Sequence, residues 1–254
     1  MEVLVFGGTS EGRELVEWLA ARGSCDIVAC TATEYGASLL PEGPRVTCLR
    51  GPLSAREKRQ LVAAHDFCCV VDATHPYALH ISDSIAELAA EVSLEVVRIV
   101  REGADDGDGP WVSVRDATEA AHHLAGTTGN VLLTTGSKDL DAFVAGVPDA
   151  RERLYVRVLP LASVLERTER LGIPAAHVIA MQGPFSARLN EALIAELDIG
   201  HLVTKQSGAA GGFAEKAEAA AACGISLVVI ERPRREEGVS LRAAQQLLEE
   251  RHGL

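Results

Sequence analysis

The sequence predicts an α/β protein made of two lobes, each a parallel sheet flanked by helices, facing one ligand cleft. Short apolar runs alternate with helix-period segments along nearly all of its 254 residues, the pattern of parallel strands joined by helical crossovers. The first such run lies in "VLVFGGTSEGRELVEWLAARG". There an apolar strand enters a glycine turn and leaves on a helix. "GGTSEGREL" after that strand is echoed by "TTGSKDLDAF" after the first strand of the other half. This length suffices for two small domains with real cores.

In chain order, strands are expected at 3–6, 26–30, 45–49, 67–71 and 94–100, with helices at 12–21, 54–64 and 76–91. Ser54 and Glu57 have the spacing of a capping box for the second helix. Pro76 suits the first position of the third. The acidic, glycine-rich, aperiodic stretch from Glu102 to Pro110 reads as a surface loop and domain junction, so the domains are expected at 1–110 and 111–254. Beyond it, strands are expected at 111–114, 130–133, 154–159, 177–181, 201–204 and 225–230. Helices separate them, one starting at Asp116, and a last helix covers 240–251.

Composition narrows the function classes. Hydrophobic residues make up 47% and charged residues 24%, and the formal net charge is −12. Such a balance disfavours nucleic acid and anionic membranes as partners. No apolar stretch is long enough to span a bilayer. Glu2 and a turn by Gly7 are unlike a signal peptide. The six cysteines form no Cys-x-x-Cys pair and fall mostly in strand-like runs, which reads as small core residues in a reducing, cytoplasmic compartment with no protein metal site. His122 and His123 are adjacent and so point apart. Oligomeric state is left open.

In the first turn, Gly7, Gly8, Thr9, Ser10, Glu11 and Gly12 form a modified phosphate cradle. Gly7 and Gly12 match the outer glycines of a dinucleotide fingerprint, with Thr9 in the middle place. Helix N-terminal amides, with the Thr9 and Ser10 hydroxyls, would face an anion. A P-loop would need lysine and a hydroxyl where Arg13 and Glu14 stand, so ATP hydrolysis is disfavoured. A plain strand-to-helix turn is the alternative. At the end of the second strand, Thr31 and Thr33 stand where an NAD site usually has an acid, a lean toward NADP.

Other strand ends carry more chemistry. "VVDATHPYALHIS" brings Asp72, Thr74, His75 and Tyr77; the last two either donate protons or cap and pack a helix start. "TTGSKDL" places Ser137 and Lys138 in a second hydroxyl-glycine turn. "AMQGPFS" offers Gln182. "LVTKQSGAAGG" sets Lys205, Ser207 and Gly208 in a glycine-rich stretch able to form an anion nest. The basic run Arg232 to Arg235 reads as a solvated loop. No serine-histidine-acid order is specific enough to name a hydrolase.

With "GGTSEGREL", "VDATHPYA", "TTGSKDL", "AMQGPFS" and "VTKQSG…GG" in this order, the chain resembles the precorrin-6A reductase family of cobalamin biosynthesis over essentially its whole length. The resemblance implies two Rossmann-like domains with strand exchange between them. It also implies NADPH-dependent reduction of a macrocyclic double bond of precorrin-6A, giving precorrin-6B. "ATEYG" is similar to the branch that reduces the cobalt-containing substrate, in which the metal belongs to the substrate. On this resemblance, residues Gly7 to Gly12 hold the NADPH phosphates, with Thr31 and Thr33 near the 2′-phosphate and Thr74 close by. His75 is the first candidate proton donor, then Tyr77, Lys205 or a water. Arg13, Lys138 and Lys205 would face the carboxylates of the tetrapyrrole, joined by Ser137, Gln182, Ser207 and Gly208, with Arg98 and Arg157 as further cations. Two rivals remain at this stage: an α/β transferase using a nucleotide-linked donor, and a non-catalytic NADP-binding sensor.

Overall fold

The computed structural model describes residues 1–100, 109–207, 211–232 and 237–254. The chain forms two compact units, Met1–Glu102 with Arg235–Leu254, and Gly103–Arg234.

In the first unit, strands β1 (Glu2–Phe6), β2 (Asp26–Thr31), β3 (Val46–Arg50), β4 (Phe67–Asp72) and β5 (Glu95–Arg98) alternate with helices α1 (Ser10–Arg22), α2 (Glu34–Ser38), α3 (Ala55–Ala64) and α4 (Leu79–Glu91). The sheet order is β3-β2-β1-β4-β5, and every pairing is parallel. Alternation along the central strands sends side chains to both faces. Val3, Val5, Ile27 and Ala29 pack against Leu15, Val16 and Leu19 of α1. Leu4, Phe6, Val28 and Cys30 pack on the other side with Ile85 of α4, Leu61 and Val62. A strand covered on both faces must be apolar throughout, which is why these runs are legible. Each valine, leucine, isoleucine or phenylalanine so buried contributes roughly 1.5–3 kcal/mol relative to exposure.

The second unit repeats the plan with β6 (Val112–Val114), α5 (Ala117–Ala125), β7 (Asn130–Leu133), α6 (Leu140–Gly146), α7 (Ala150–Arg153), β8 (Leu154–Val158), α8 (Ala162–Arg170), β9 (Val178–Ala180), α9 (Ala187–Glu196), β10 (Ile199–Lys205), α10 (Phe213–Cys223) and β11 (Ser226–Ile230). Its sheet runs β6-β11-β10-β7-β8-β9, again all parallel. Taken from β9, the order matches the first sheet with β7 in the place of β1. The sequence echo of the two turns thus marks equivalent positions.

The sixth position of each sheet is exchanged. The strand that follows β5 in sequence, β6, lies beside β11 in the second sheet. The segment that follows β11 returns to the first sheet, where Val239 bridges Ile99 in parallel. Val100 N donates to Val239 O and Val239 N donates to Arg98 O, each at 2.9 Å. The final helix, α11 (Leu241–His252), then seals the first core with Ala244 and Leu248. Arg22 pairs with Glu249 at 2.6 Å, and Arg251 and His252 both reach Glu95.

This corrects the expectation of two contiguous domains, because residues 235–254 belong with the first unit rather than the second. A second correction concerns the helix expected from Pro76. Ala78 N donates to His75 O at 2.7 Å, closing a turn with Pro76 at its second position, and α4 begins only at Leu79; proline's fixed φ suits that turn position as well as a helix start. Most cysteines are buried or half-buried, but Cys223 is exposed. Among the described residues no helix is long and apolar enough to cross a membrane, and no cluster of three or more His, Cys, Asp or Glu side chains is arranged to hold a metal.

The chain has two tryptophans, with Trp18 against the first core and Trp111 against the second. In a Trp111→Phe background, Leu248→Ala should lower the stability followed by Trp18 fluorescence in urea by about 2–5 kcal/mol. An unchanged midpoint would mean that α11 is not part of the first core.

Candidate functional site

In the first unit two turns meet at the C-terminal ends of β1 and β4. Thr9 caps α1: its Oγ1 accepts from Gly12 N at 3.1 Å and donates to Ala73 O at 3.0 Å. Gly7 N donates to Cys30 O at 2.9 Å, and Ala73 N to Phe6 O at 2.9 Å. The turn is therefore sewn to its neighbours on both sides. Gly12 is buried, and a Cβ there would come within 2.9 Å of the Ala73 Cβ. It is the close-packing glycine of this helix entry. Gly8 is exposed with φ +150°, and a Cβ on it would meet only His75 N, at 3.9 Å. The glycine turn and the His75 turn thus lie side by side, as two of the sequence-predicted segments require.

Beneath them lies a buried polar network. Asp72 Oδ1 accepts from Thr74 N at 3.0 Å, Thr74 Oγ1 at 2.7 Å and Arg98 Nη1 at 2.9 Å. Arg98 Nη1 also donates to Thr74 O at 3.0 Å. Arg98 is consequently bound inside the fold, and Thr74 holds the turn. His75 is exposed, and its Nδ1 accepts from Tyr77 N at 3.3 Å. An acceptor Nδ1 puts the proton of the neutral ring on Nε2.

The predicted hydroxyls are engaged locally. Ser10 Oγ donates to Glu11 Oε2 at 3.1 Å. Thr31 Oγ1 donates to Thr33 O at 3.2 Å, and Thr33 Oγ1 accepts from Gly36 N at 2.9 Å as the cap of α2. Arg13 Nε lies 3.5 Å from Glu17 Oε1 on the same helix. Glu11 lines a cavity of about 730 Å³ walled otherwise by Val100 and the first turns of α11. One cation at this edge escaped sequence reasoning: Arg50, exposed at the end of β3, is the register partner of Thr31. Nineteen positions separate the two in sequence, so only the parallel pairing shows them as neighbours.

In the second unit the equivalent edge carries the remaining candidates. Lys205 Nζ pairs with Asp139 Oδ2 at 2.7 Å. Ser137 is half-buried, whereas Lys138 and Gln182 are exposed. Gln206, next to Lys205, accepts from Arg232 Nε through its carbonyl at 3.1 Å. Ser207 is described, but Gly208 lies outside the described residues, as do 233–235 of the basic run. A second cavity, of about 260 Å³, is lined by Thr134, Arg157, Met181, Phe185, Asn190 and Lys216 among others. Lys216 was missed from sequence, although its spacing from Phe213, Ala219 and Ala220 puts it on the buried stripe of α10.

The sequence model of the family described as "Precorrin-6x reductase CbiJ/CobK" matches residues 2–250. The cobalt-precorrin-6A reductase of Methanothermobacter thermautotrophicus is 36% identical over 234 residues, covering 92% of this chain and 77% of that protein. The cobalt-precorrin-6A reductase of Priestia megaterium is 32% identical over 237 residues, covering 93% and 92%. A precorrin-6A reductase of Mycobacterium tuberculosis is 34% identical over 245 residues, covering 94% and 91%. A solved structure, "CobK precorrin-6A reductase", matches with a TM-score of 0.77 at 23% identity, covering 98% of this chain and 97% of that one, which shows a shared fold.

Replacing Gly12 with alanine should destabilise the first unit by about 1–3 kcal/mol through overpacking, more than the gain of about 1 kcal/mol or less from helix propensity. Adding Ala73→Gly should recover most of the loss in urea unfolding. A stable single variant would show that the turn has room to spare.

Proposed function

The chain belongs to the precorrin-6x reductase family, and from that membership we propose that it reduces a macrocyclic double bond of precorrin-6A, or of its cobalt form, with NADPH in cobalamin biosynthesis. The observation that carries the reading to particular residues is the juxtaposition of Gly8 with the His75 turn at one sheet edge. A family match from residue 2 to 250 favours this reading over a transferase or a sensor module.

The residues present suit a pyridine nucleotide. The open, exposed Gly8 lets a phosphate approach the backbone, and the first turn of α1 aims amides outward. Thr9 serves the phosphate site through its backbone, since its hydroxyl caps the helix. Glu11, in the wall of the neighbouring cavity, would accept from ribose hydroxyls. Arg50, beside Thr31, supplies the cation for a 2′-phosphate that the Thr31 and Thr33 hydroxyls, already engaged, do not. When bound, the nucleotide supplies the hydride.

Reduction at carbon also needs a proton. His75 would deliver it from Nε2, with the ring oriented by the Tyr77 amide and the turn braced by Asp72 and Arg98. Tyr77, whose ring lies 5.6 Å from that of His75, is the next donor. Lys205 is better suited to binding than to acid catalysis, because its ammonium already has Asp139 as partner. Ser137, Lys138, Gln182 and Ser207 stand at the same edge of the second unit as potential carboxylate contacts.

Purified protein mixed with NADPH and either precorrin-6A or cobalt-precorrin-6A should consume NADPH absorbance with at least one of them, and the faster identifies the substrate form. No turnover with either would overturn the reading. Arg50→Ala should raise the KM for NADPH about tenfold, the size of a lost charged hydrogen bond, and leave the KM for NADH unchanged. Equal losses with both nucleotides would remove Arg50 from the 2′-phosphate site.

A further inference from the structure

The second unit buries two cations together. Arg157, in β8, is 8% exposed and Lys216, in α10, is 5% exposed, and both line the cavity of about 260 Å³. Arg157 is held in place: its Nη1 donates to Asn190 Oδ1 at 2.7 Å, and its guanidinium lies 4.5 Å from the centre of the Phe185 ring. Asn190, itself 1% exposed, is fixed by donating to Ser186 O at 2.9 Å. Among the described residues no side chain hydrogen-bonds to Lys216 and no carboxylate pairs with either cation.

Fixing like charges side by side out of water costs free energy unless an anion joins them. Natural chains keep such arrangements at binding sites. Val158, Leu159, Met181 and Pro184 complete much of the wall, an apolar surface that suits the methylenes of an alkyl carboxylate better than a hydrated phosphate.

We propose that this cavity is a carboxylate subsite, in which Arg157 and Lys216 together bind one acidic arm of the substrate. The identity of that substrate rests on the reductase reading above; the anion chemistry does not.

The electrostatics agree. Burial, reinforced by the charge of Arg157 and opposed by Glu215 on the same helix, pushes the Lys216 ammonium down to about 7. Arg157 is also lowered by burial, to about 10. A carboxylate arriving between them favours the charged lysine. Binding therefore takes up a proton, and affinity falls as pH rises above about 7.

The test has two arms. In the first, Lys216→Met should raise the KM for the tetrapyrrole about tenfold or more while the KM for NADPH stays within about twofold; Lys216→Arg should restore part of the loss. In the second, wild-type protein is titrated with glutarate and, separately, with inorganic phosphate, in buffers of different ionisation heat. Glutarate should bind with proton uptake that Lys216→Met abolishes, and phosphate should bind more weakly. This arm needs no turnover and no variant that might fold poorly for its main result. Glutarate binding without reductase activity would uphold the subsite and remove the reductase reading. Normal reductase kinetics in Lys216→Met, or glutarate binding that Lys216→Met leaves unchanged, would overturn the subsite.

Discussion

The first unit's site is shaped by one carboxylate kept from water. Asp72 is 2% exposed, and such a group is costly to bury unless donors surround it. Here a backbone amide, a hydroxyl and a guanidinium converge on Oδ1. Asp72 and Arg98 are also register partners at the ends of β4 and β5. Their ion pair therefore fastens two strand ends and the turn that carries His75. The glycine turn hangs on the same frame, since Thr9 donates to Ala73 O and Ala73 donates to Phe6 O. Geometry at the candidate acid is thus a consequence of a buried pair whose carboxylate, Asp72, stands three residues before it in sequence.

The second unit uses the same sheet plan with the opposite electrostatic outcome. In the first, Arg98 has the Asp72 carboxylate beside it, so its charge is compensated. Among the described residues Arg157 has the neutral Asn190 and the face of Phe185 as its partners. Neutral partners fix the direction of a guanidinium without cancelling its charge. That distinction separates a cation serving stability from one presented to a ligand.

Much of the fold was legible because both faces of each sheet are covered, so central strands read as unbroken apolar runs. Phe67 to Asp72 and Asn130 to Leu133 differ from expectation by a residue or none. The exchange at the sixth position follows from the family resemblance but not from local pattern, since Val112 to Val114 has the same strand propensity in either sheet. Nor does an amphipathic helix such as α11 reveal which core will receive it. At the site, residue types were readable and their commitments were not. Nothing local says that the Thr33 hydroxyl caps α2 or that Arg13 faces Glu17. Lys216 did leave a signal, a lysine on the apolar stripe of a helix. Its importance depends on Arg157, 59 positions away in sequence and brought near by the fold.

On the reading proposed above, a chain of net charge −12 has to attract a polyanion, and the placement of its cations accounts for it. Charges in water are screened over about 10 Å at moderate salt, so the global excess of acid weighs little on a bound arm. Exposed cations contribute little either: ion pairs at a wet surface are worth about 0–1 kcal/mol. Arg13 and Lys205 already have Glu17 and Asp139 beside them. Coulomb attraction strengthens as water is removed, and Arg157 and Lys216 line one cavity together, both buried, against an apolar wall and with no acid bonded to them among the described residues. Selectivity for a carboxylate-bearing ligand then arises from where two charges are buried, and the sign of the whole surface becomes nearly irrelevant to it.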